Sequence, residues 1–176
     1  MAVIRRGSLI TSFASQLADA LEYGWETVAR PNQLPPPGDW AIWLLLAGRG
    51  FGKTRTLSEM ANAWATSGLA KRIAIVAATA SDCRDVVVEG ESGILATAPP
   101  WCQPIYEPTR RRVRWPNGAI AHTFSAEEPE RLRGPQHDAA ICDELGSWRC
   151  CAIGKRGVMT WPQFKPRRLR HTIIRG

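Results

Sequence analysis

The sequence predicts an α/β fold in which a mainly parallel sheet carries helices on both faces, and three observations support this. First, the runs 40–46, 72–78 and 139–142 are short and apolar on both faces, as strands of a covered parallel sheet are. Second, a helical pattern follows the first run and places Leu57, Met60, Ala61 and Trp64 on one side. Third, a glycine-rich turn joins that strand to that helix. Strands alternating with helices in one chain select a parallel sheet. At 176 residues with 44% hydrophobic content, the chain suits one globular domain with a sizeable core.

Taken in order, Leu9, Phe13, Leu17 and Leu21 lie four apart and predict an amphipathic helix over 8–22, packed against the domain. Residues 31–39 hold four prolines and are expected to form an extended entry segment. The first strand covers 40–46. A helix over 53–67 follows, closed by Gly68. The second strand covers 72–78, and Ser81 is expected to cap a helix over 82–89 that ends at Gly90. Residues 112–115 alternate polar and apolar, Pro116-Asn117-Gly118 turns, and 119–124 return, which predicts a β-hairpin. A polar loop over 125–138 leads to the strand 139–142.

The turn reads Ala47-Gly48-Arg49-Gly50-Phe51-Gly52-Lys53-Thr54. It is a variant of the phosphate-binding pattern G-x-x-x-x-G-K-[ST], with Ala47 in place of the first glycine. In this pattern backbone N–H groups wrap a triphosphate, the lysine reaches the β and γ phosphates, and the threonine hydroxyl meets Mg²⁺ at the helix N-terminus. Lys53 and Thr54 take those roles here, so the fold is expected to be that of a P-loop NTPase with ATP and Mg²⁺ as cofactors.

Asp143-Glu144 ends an apolar strand about ninety residues further on. At the carboxyl end of a parallel sheet, Asp143 can hold Mg²⁺ and Glu144 can take a proton from an attacking water. Arg49 sits inside the loop, where a guanidinium can offset charge that develops on the γ-phosphate; otherwise it pairs with a nearby carboxylate. Gln33, in the entry segment, can hydrogen-bond an adenine edge; otherwise it is a solvated loop glutamine.

The net charge of +7 is uneven. Residues 149–176 hold eight Lys/Arg and no acid, against 15 basic and 16 acidic residues before them. The basic balance is therefore no sign that the folded domain binds nucleic acid. Five cysteines (Cys83, Cys102, Cys142, Cys150 and Cys151) fit no zinc spacing, and their odd number favours reduced thiols. Neither a membrane span nor a signal peptide is expected, which makes a cytoplasmic location the default.

Several stretches in order resemble the ATPase domain of the large terminase subunit of tailed phages and prophages. They are Ala29-Arg30-Pro31-Asn32-Gln33-Leu34-Pro35-Pro36, the loop through Arg55, Glu89-Gly90-Glu91-Ser92-Gly93, Trp115-Pro116-Asn117-Gly118-Ala119, and Arg131-Leu132-Arg133-Gly134-Pro135-Gln136-His137-Asp138 leading to Asp143-Glu144. The resemblance covers roughly residues 20–148. It implies a motor that pumps double-stranded DNA into procapsids. A portal protein, a small terminase subunit and a ring oligomer on the portal would be its partners, in the cytoplasm of a bacterial host. It further implies that Gln33, Gly48, Gly50, Gly52, Lys53, Thr54 and Arg55 bind the nucleotide. Thr54 and Asp143 would serve the metal, with Glu144 as base and Arg49 as an arginine finger.

The resemblance falls away after Trp148. Residues 1–148 are thus expected to form the ATPase domain and 149–176 an atypical basic tail, loosely packed, with a shifted reading frame as one origin and a DNA-binding tail as another. Only His171-Thr172-Ile173-Ile174 looks like the family's next strand. The family's nuclease domain is not expected, nor is nuclease activity. The alternatives are a remnant that binds ATP without turnover and a helicase-like motor.

Overall fold

The computed structural model describes residues 14, 17–19, 21–148 and 171–175. The chain forms two compact units, Met1–Leu34 and Pro35–Gly176.

In the first unit the described part of the helix read over 8–22 is helical, and its Leu17 and Leu21 are more than half exposed. A short helix α1, Trp25–Val28, follows. Pro31–Gln33 forms a single 3-10 turn where an extended segment was expected. A proline is tolerated in the first helical turn because its missing N–H would have no partner there.

The second unit is built on a seven-stranded sheet. Its strands are β1 (Ile42–Leu45), β2 (Arg72–Ala77), β3 (Ile105–Glu107), β4 (Arg112–Arg114), β5 (Ile120–Ser125), β6 (Ala139–Cys142) and β7 (His171–Arg175). The order is β1-β7-β6-β2-β5-β4-β3. Five strands from β1 to β5 run parallel, and β4 and β3 complete the sheet antiparallel. The mainly parallel α/β fold and the hairpin are as the sequence predicts. In the hairpin Trp115 N donates to Ala119 O, and Gly118 takes φ +87° at the turn.

Helix α2 (Lys53–Thr66) covers one face of the sheet. Its Leu57, Met60, Ala61 and Trp64 join Leu45, Ile73, Ile75, Ile141 and Ile173 in the main core. Fully burying one such aliphatic side chain stabilises by about 1.5–3 kcal/mol. Gly68, at φ +74°, closes the helix as expected. On the other face Ala74, Val76, Ala140 and Cys142 pack with Phe124, Ala126, Leu132 and Trp148. Among the described residues, 3-10 turns at Pro129–Leu132 and Leu145–Ser147 supply the cover there.

Four details depart from the sequence reading. β1 is not buried on both faces: Ile42 and Leu44 are about half exposed, because β1 ends the strand order and pairs with β7 alone. The helix after β2 starts earlier, at α3 (Ala80–Asp82), capped by Thr79 rather than Ser81. Thr79 Oγ1 accepts from Asp82 N at 3.1 Å, and the Asp82 carboxylate accepts from Thr79 N at 3.1 Å. That helix then widens into a π-helical turn, Cys83–Val88, where Glu89 N reaches Arg84 O at 2.8 Å. β3 had no counterpart in the sequence reading.

β7 lies between β1 and β6, with Ile173 fully buried. The loose packing expected of 149–176 therefore does not hold at 171–175, while 149–170 lies outside the described residues. No helix among the described residues is long and apolar enough to cross a membrane.

Candidate nucleotide site

The site lies at one end of the sheet. β1 delivers the glycine-rich loop, β6 delivers Asp143-Glu144, and β7 separates them. The two strands are therefore not neighbours. The register still aligns their ends: Leu45 pairs with Arg175, and Ile174 with Cys142. Two strand spacings, about 10 Å, then separate the loop from the acidic pair.

In the loop Gly50 and Gly52 take φ +76° and +83°, a region open to glycine at little cost. A Cβ on Gly48 or Gly50 would meet nothing within 4 Å, so conformation rather than crowding selects glycine at Gly50. Gly52 leads directly into α2, whose first residues are Lys53 and Thr54. Lys53 is buried, and its Nζ donates to Ala47 O and, at 3.1 Å, to Gly48 O. The ammonium is thus held over the loop by the loop's own carbonyls. Arg55 Nε bonds Glu59 Oε1 at 2.7 Å one turn along. Burial raises the Glu59 carboxyl's pKa, and Arg55 works against that rise. Arg49 is exposed and forms no ion pair among the described residues.

Two cavities open here. The larger, about 410 Å³, is lined by Gly48, Arg49, Gly50, Phe51, Gly52, Lys53, Thr54 and Arg55, and on the far side by Asp85, Val86, Gly90, Glu91 and Ser92. The smaller, about 110 Å³, brings together Thr54, Asp82, Asp143 and Glu144 with Ala77, Ala78 and Val86. Thr54 and Val86 line both. Asp143 is buried, its N donates to Val76 O at 2.8 Å, and its carbonyl accepts Trp148 Nε1 at 2.9 Å. Glu144 is exposed and sits in the left-handed region at φ +49°, ψ +52°. That conformation costs a non-glycine residue on the order of 1–2 kcal/mol, a strain that concentrates at functional sites.

Gln33 belongs to the first unit, where its Oε1 accepts from Arg30 N at 2.9 Å and Arg30 Nε at 3.3 Å. Arg133 pairs with Glu130 at 2.7 Å on the surface. Cys83, Cys102 and Cys142 are free thiols. Burial pushes the Cys83 thiol up to about 12, so it stays protonated. The sequence reading left Asp82, Asp85, Glu91 and Ser92 unassigned. The paired glycines of Glu89-Gly90-Glu91-Ser92-Gly93 were the available signal for the last two.

The fold and this loop define a mainly parallel α/β protein with a glycine-rich turn between its first strand and the helix that follows. Residues 44–150, more than half of the chain, match the family model of the terminase large subunit, T4-like virus type, N-terminal region. The chain belongs to that family. The ATPase domain of the large terminase of Thermus phage P74-26 shares its fold, with TM-score 0.50 and 20% identity over 76% of this chain and 57% of that one. An arginine-to-alanine variant of that domain matches equally, over 58% of its length. The chain thus spans less than two thirds of those solved domains. No curated protein matches it.

Proposed function

We propose that this chain binds MgATP at the glycine-rich loop and hydrolyses it, as the ATPase part of a motor that drives double-stranded DNA into procapsids. The observation that supports this best is the convergence of Thr54, Asp143 and Glu144 on one cavity beside the loop. A hydroxyl and a carboxylate are hard oxygen donors, and Mg²⁺ takes few protein ligands beside phosphate and water. Thr54 and Asp143 therefore suit it, and Mg²⁺ bound there would offset charge on the β and γ phosphates. Loop amides and the Lys53 ammonium hold the phosphates. Glu144, exposed at the cavity edge, takes the proton of the attacking water. Arg49, exposed in the loop, stabilises charge on the transferred group. Gln33 recognises the adenine edge.

Family membership supports double-stranded DNA, a portal protein and a small terminase subunit as the partners of such a motor, with a ring on the portal in the cytoplasm of a bacterial host as the proposed setting. Phosphate release from MgATP by the purified chain, with and without double-stranded DNA, tests the proposal. Turnover that Glu144→Gln abolishes is expected. No turnover under either condition overturns the hydrolytic reading.

A further inference from the structure

The larger cavity has a second wall, which the glycine-rich loop does not supply. It consists of Asp85 and Val86, from the π-helical segment Cys83–Val88, and of Gly90, Glu91 and Ser92, from the turn that follows it. Two features build this wall. The wider i→i−5 register, seen in Glu89 N to Arg84 O, turns the end of the helix; such π turns recur at functional sites. The chain then doubles back too closely for side chains at two points. A Cβ on Gly90 would lie 2.5 Å from Val86 O, and one on Gly93 2.6 Å from Val88 O. Gly93 N closes the turn on Gly90 O at 2.8 Å.

This geometry leaves unpaired donors on two residues that line the cavity. Among the described residues, the amides of Glu91 and Ser92 and the Ser92 hydroxyl have no hydrogen-bond partner. Opposite them stand Arg49, Lys53 and Arg55. A ligand between the walls meets cations on one side and, on the other, neutral donors set beside two carboxylates; the cations and the donors are the chemistry that holds a phosphate chain. The Glu91 and Asp85 carboxylates border the same space; Asp85 is held by Arg84 at 2.6 Å, whereas Glu91 has no ion-pair partner among the described residues.

We infer that residues 90–93 form the second jaw of the phosphate site, with Ser92 donating its hydroxyl and amide to phosphate oxygens and Glu91 limiting the charge tolerated there. This rests on the nucleotide-site reading above. Ser92 is a binding residue in this account, and Gly90 and Gly93 position it.

The test is calorimetric titration of the full chain with ATP and with inorganic tripolyphosphate, each with Mg²⁺. Tripolyphosphate has no base or sugar, so it reports on phosphate contacts alone. Ser92→Ala should weaken both ligands about tenfold, the scale of one hydrogen bond to a charged group. Glu91→Gln should tighten both about threefold by removing a nearby like charge. General damage to the turn would move both variants in the same direction, so the opposite signs separate the contact from mere structure. A Ser92→Ala protein that binds tripolyphosphate like the parent, or a loss confined to ATP, overturns the inference, as does weaker binding by Glu91→Gln. Glu91 is exposed, so its variant folds even if the Ser92 variant does not. A parent chain that binds neither ligand refutes the nucleotide site itself, whereas a parent that binds both and loses them with Lys53→Ala isolates any failure to the second jaw.

Discussion

Trp115 Nε1 donates to Asn62 Oδ1 at 2.9 Å, and this bond ties the hairpin to the helix that follows the glycine-rich loop. Asn62 is buried, and its Nδ2 donates on to Ile94 O at 3.1 Å and Thr97 Oγ1 at 3.0 Å. One amide thus joins α2 (Lys53–Thr66) to the hairpin and to the segment after the 90–93 turn. Asn62→Ala strands the indole N–H of a fully buried tryptophan and two acceptors. A loss of about 2–4 kcal/mol is expected, read by urea unfolding. A change under about 1 kcal/mol would show that the network is not a structural tie.

Lys53→Ala should weaken ATP at least tenfold, about 1.4 kcal/mol. The ammonium is already held over the loop by Ala47 O and Gly48 O, so little ordering remains when phosphates arrive. Unchanged affinity by calorimetry, with the fold intact, would remove the phosphate site from this loop.

Much of this architecture was legible in the sequence because it is written in local period. The 3.6-residue spacing of Leu57, Met60, Ala61 and Trp64 marks α2, and the apolar run Ala139–Cys142 marks its strand whatever the neighbours are. Sheet order is different. Nothing within 40–46 says that β1 lies at an edge, so the exposure of Ile42 and Leu44 follows from its place at the end of the strand order. The π turn leaves no periodic trace either, since one extra residue in the ring hardly alters an apolar pattern six residues long. β3 is three residues between Pro104 and Pro108, too short to alternate visibly. Thr79-x-x-Asp82 was a capping box in plain view, two residues ahead of the Ser81 that was read as the cap. At the site, the loop and the acidic pair announced themselves by residue type. The far wall did not, because a turn of two glycines, a serine and a glutamate acquires meaning only from what it faces.

Glu144→Gln should leave ATP bound and stop turnover, because it removes the base and spares the metal ligand. Asp143→Asn should weaken the Mg²⁺ dependence of binding, since a neutral amide replaces the carboxylate. Parallel titrations with and without Mg²⁺, beside phosphate release, separate the two. A Glu144→Gln protein that hydrolyses ATP at the parent rate would refute the assignment of the base.

His137 should make stability fall in mild acid. Burial, then the neighbouring His122 and Arg72, push its pKa from the usual 6.5 to about 4, although Asp138 works in the opposite direction. Its ring stands 6.1 Å from that of His122 and 5.4 Å from that of Phe124, edge-on to both in T-shaped contact. The unfolded chain binds the proton near pH 6.5 and the folded chain only near pH 4. Stability is therefore unaffected above about 6.5 and is lost as pH falls between those values, by about 2–3 kcal/mol. His122, lowered mainly by burial, acts in the same sense. The informative measurement is thus the difference between the parent and His137→Phe in urea unfolding from pH 4.5 to 7.5. The variant should lose part of the slope, and identical slopes would refute the account.

Ile173→Ala tests whether the last described strand is integral to the domain. β7 pairs in parallel with β1 on one side and with β6 on the other, and Ile173 is fully buried in the core that also holds Leu45, Leu57 and Ile141. Without it, the strand that carries the glycine-rich loop would have no partner in the sheet order. The substitution should cost about 2–4 kcal/mol, the range for truncating a buried aliphatic side chain with incomplete collapse of the cavity. Leu46, 72% exposed at the end of β1, is the matched control, and Leu46→Ala should stay within about 0.5 kcal/mol. The comparison decides between two accounts of the basic stretch. If Ile173→Ala proves as mild as Leu46→Ala, then 171–175 is dispensable and β1 is held by something else. If it is as costly as a core truncation, the stretch contributes the strand that aligns the glycine-rich loop with Asp143 and Glu144. Nucleotide affinity should then fall with stability in that variant, whereas the control keeps both.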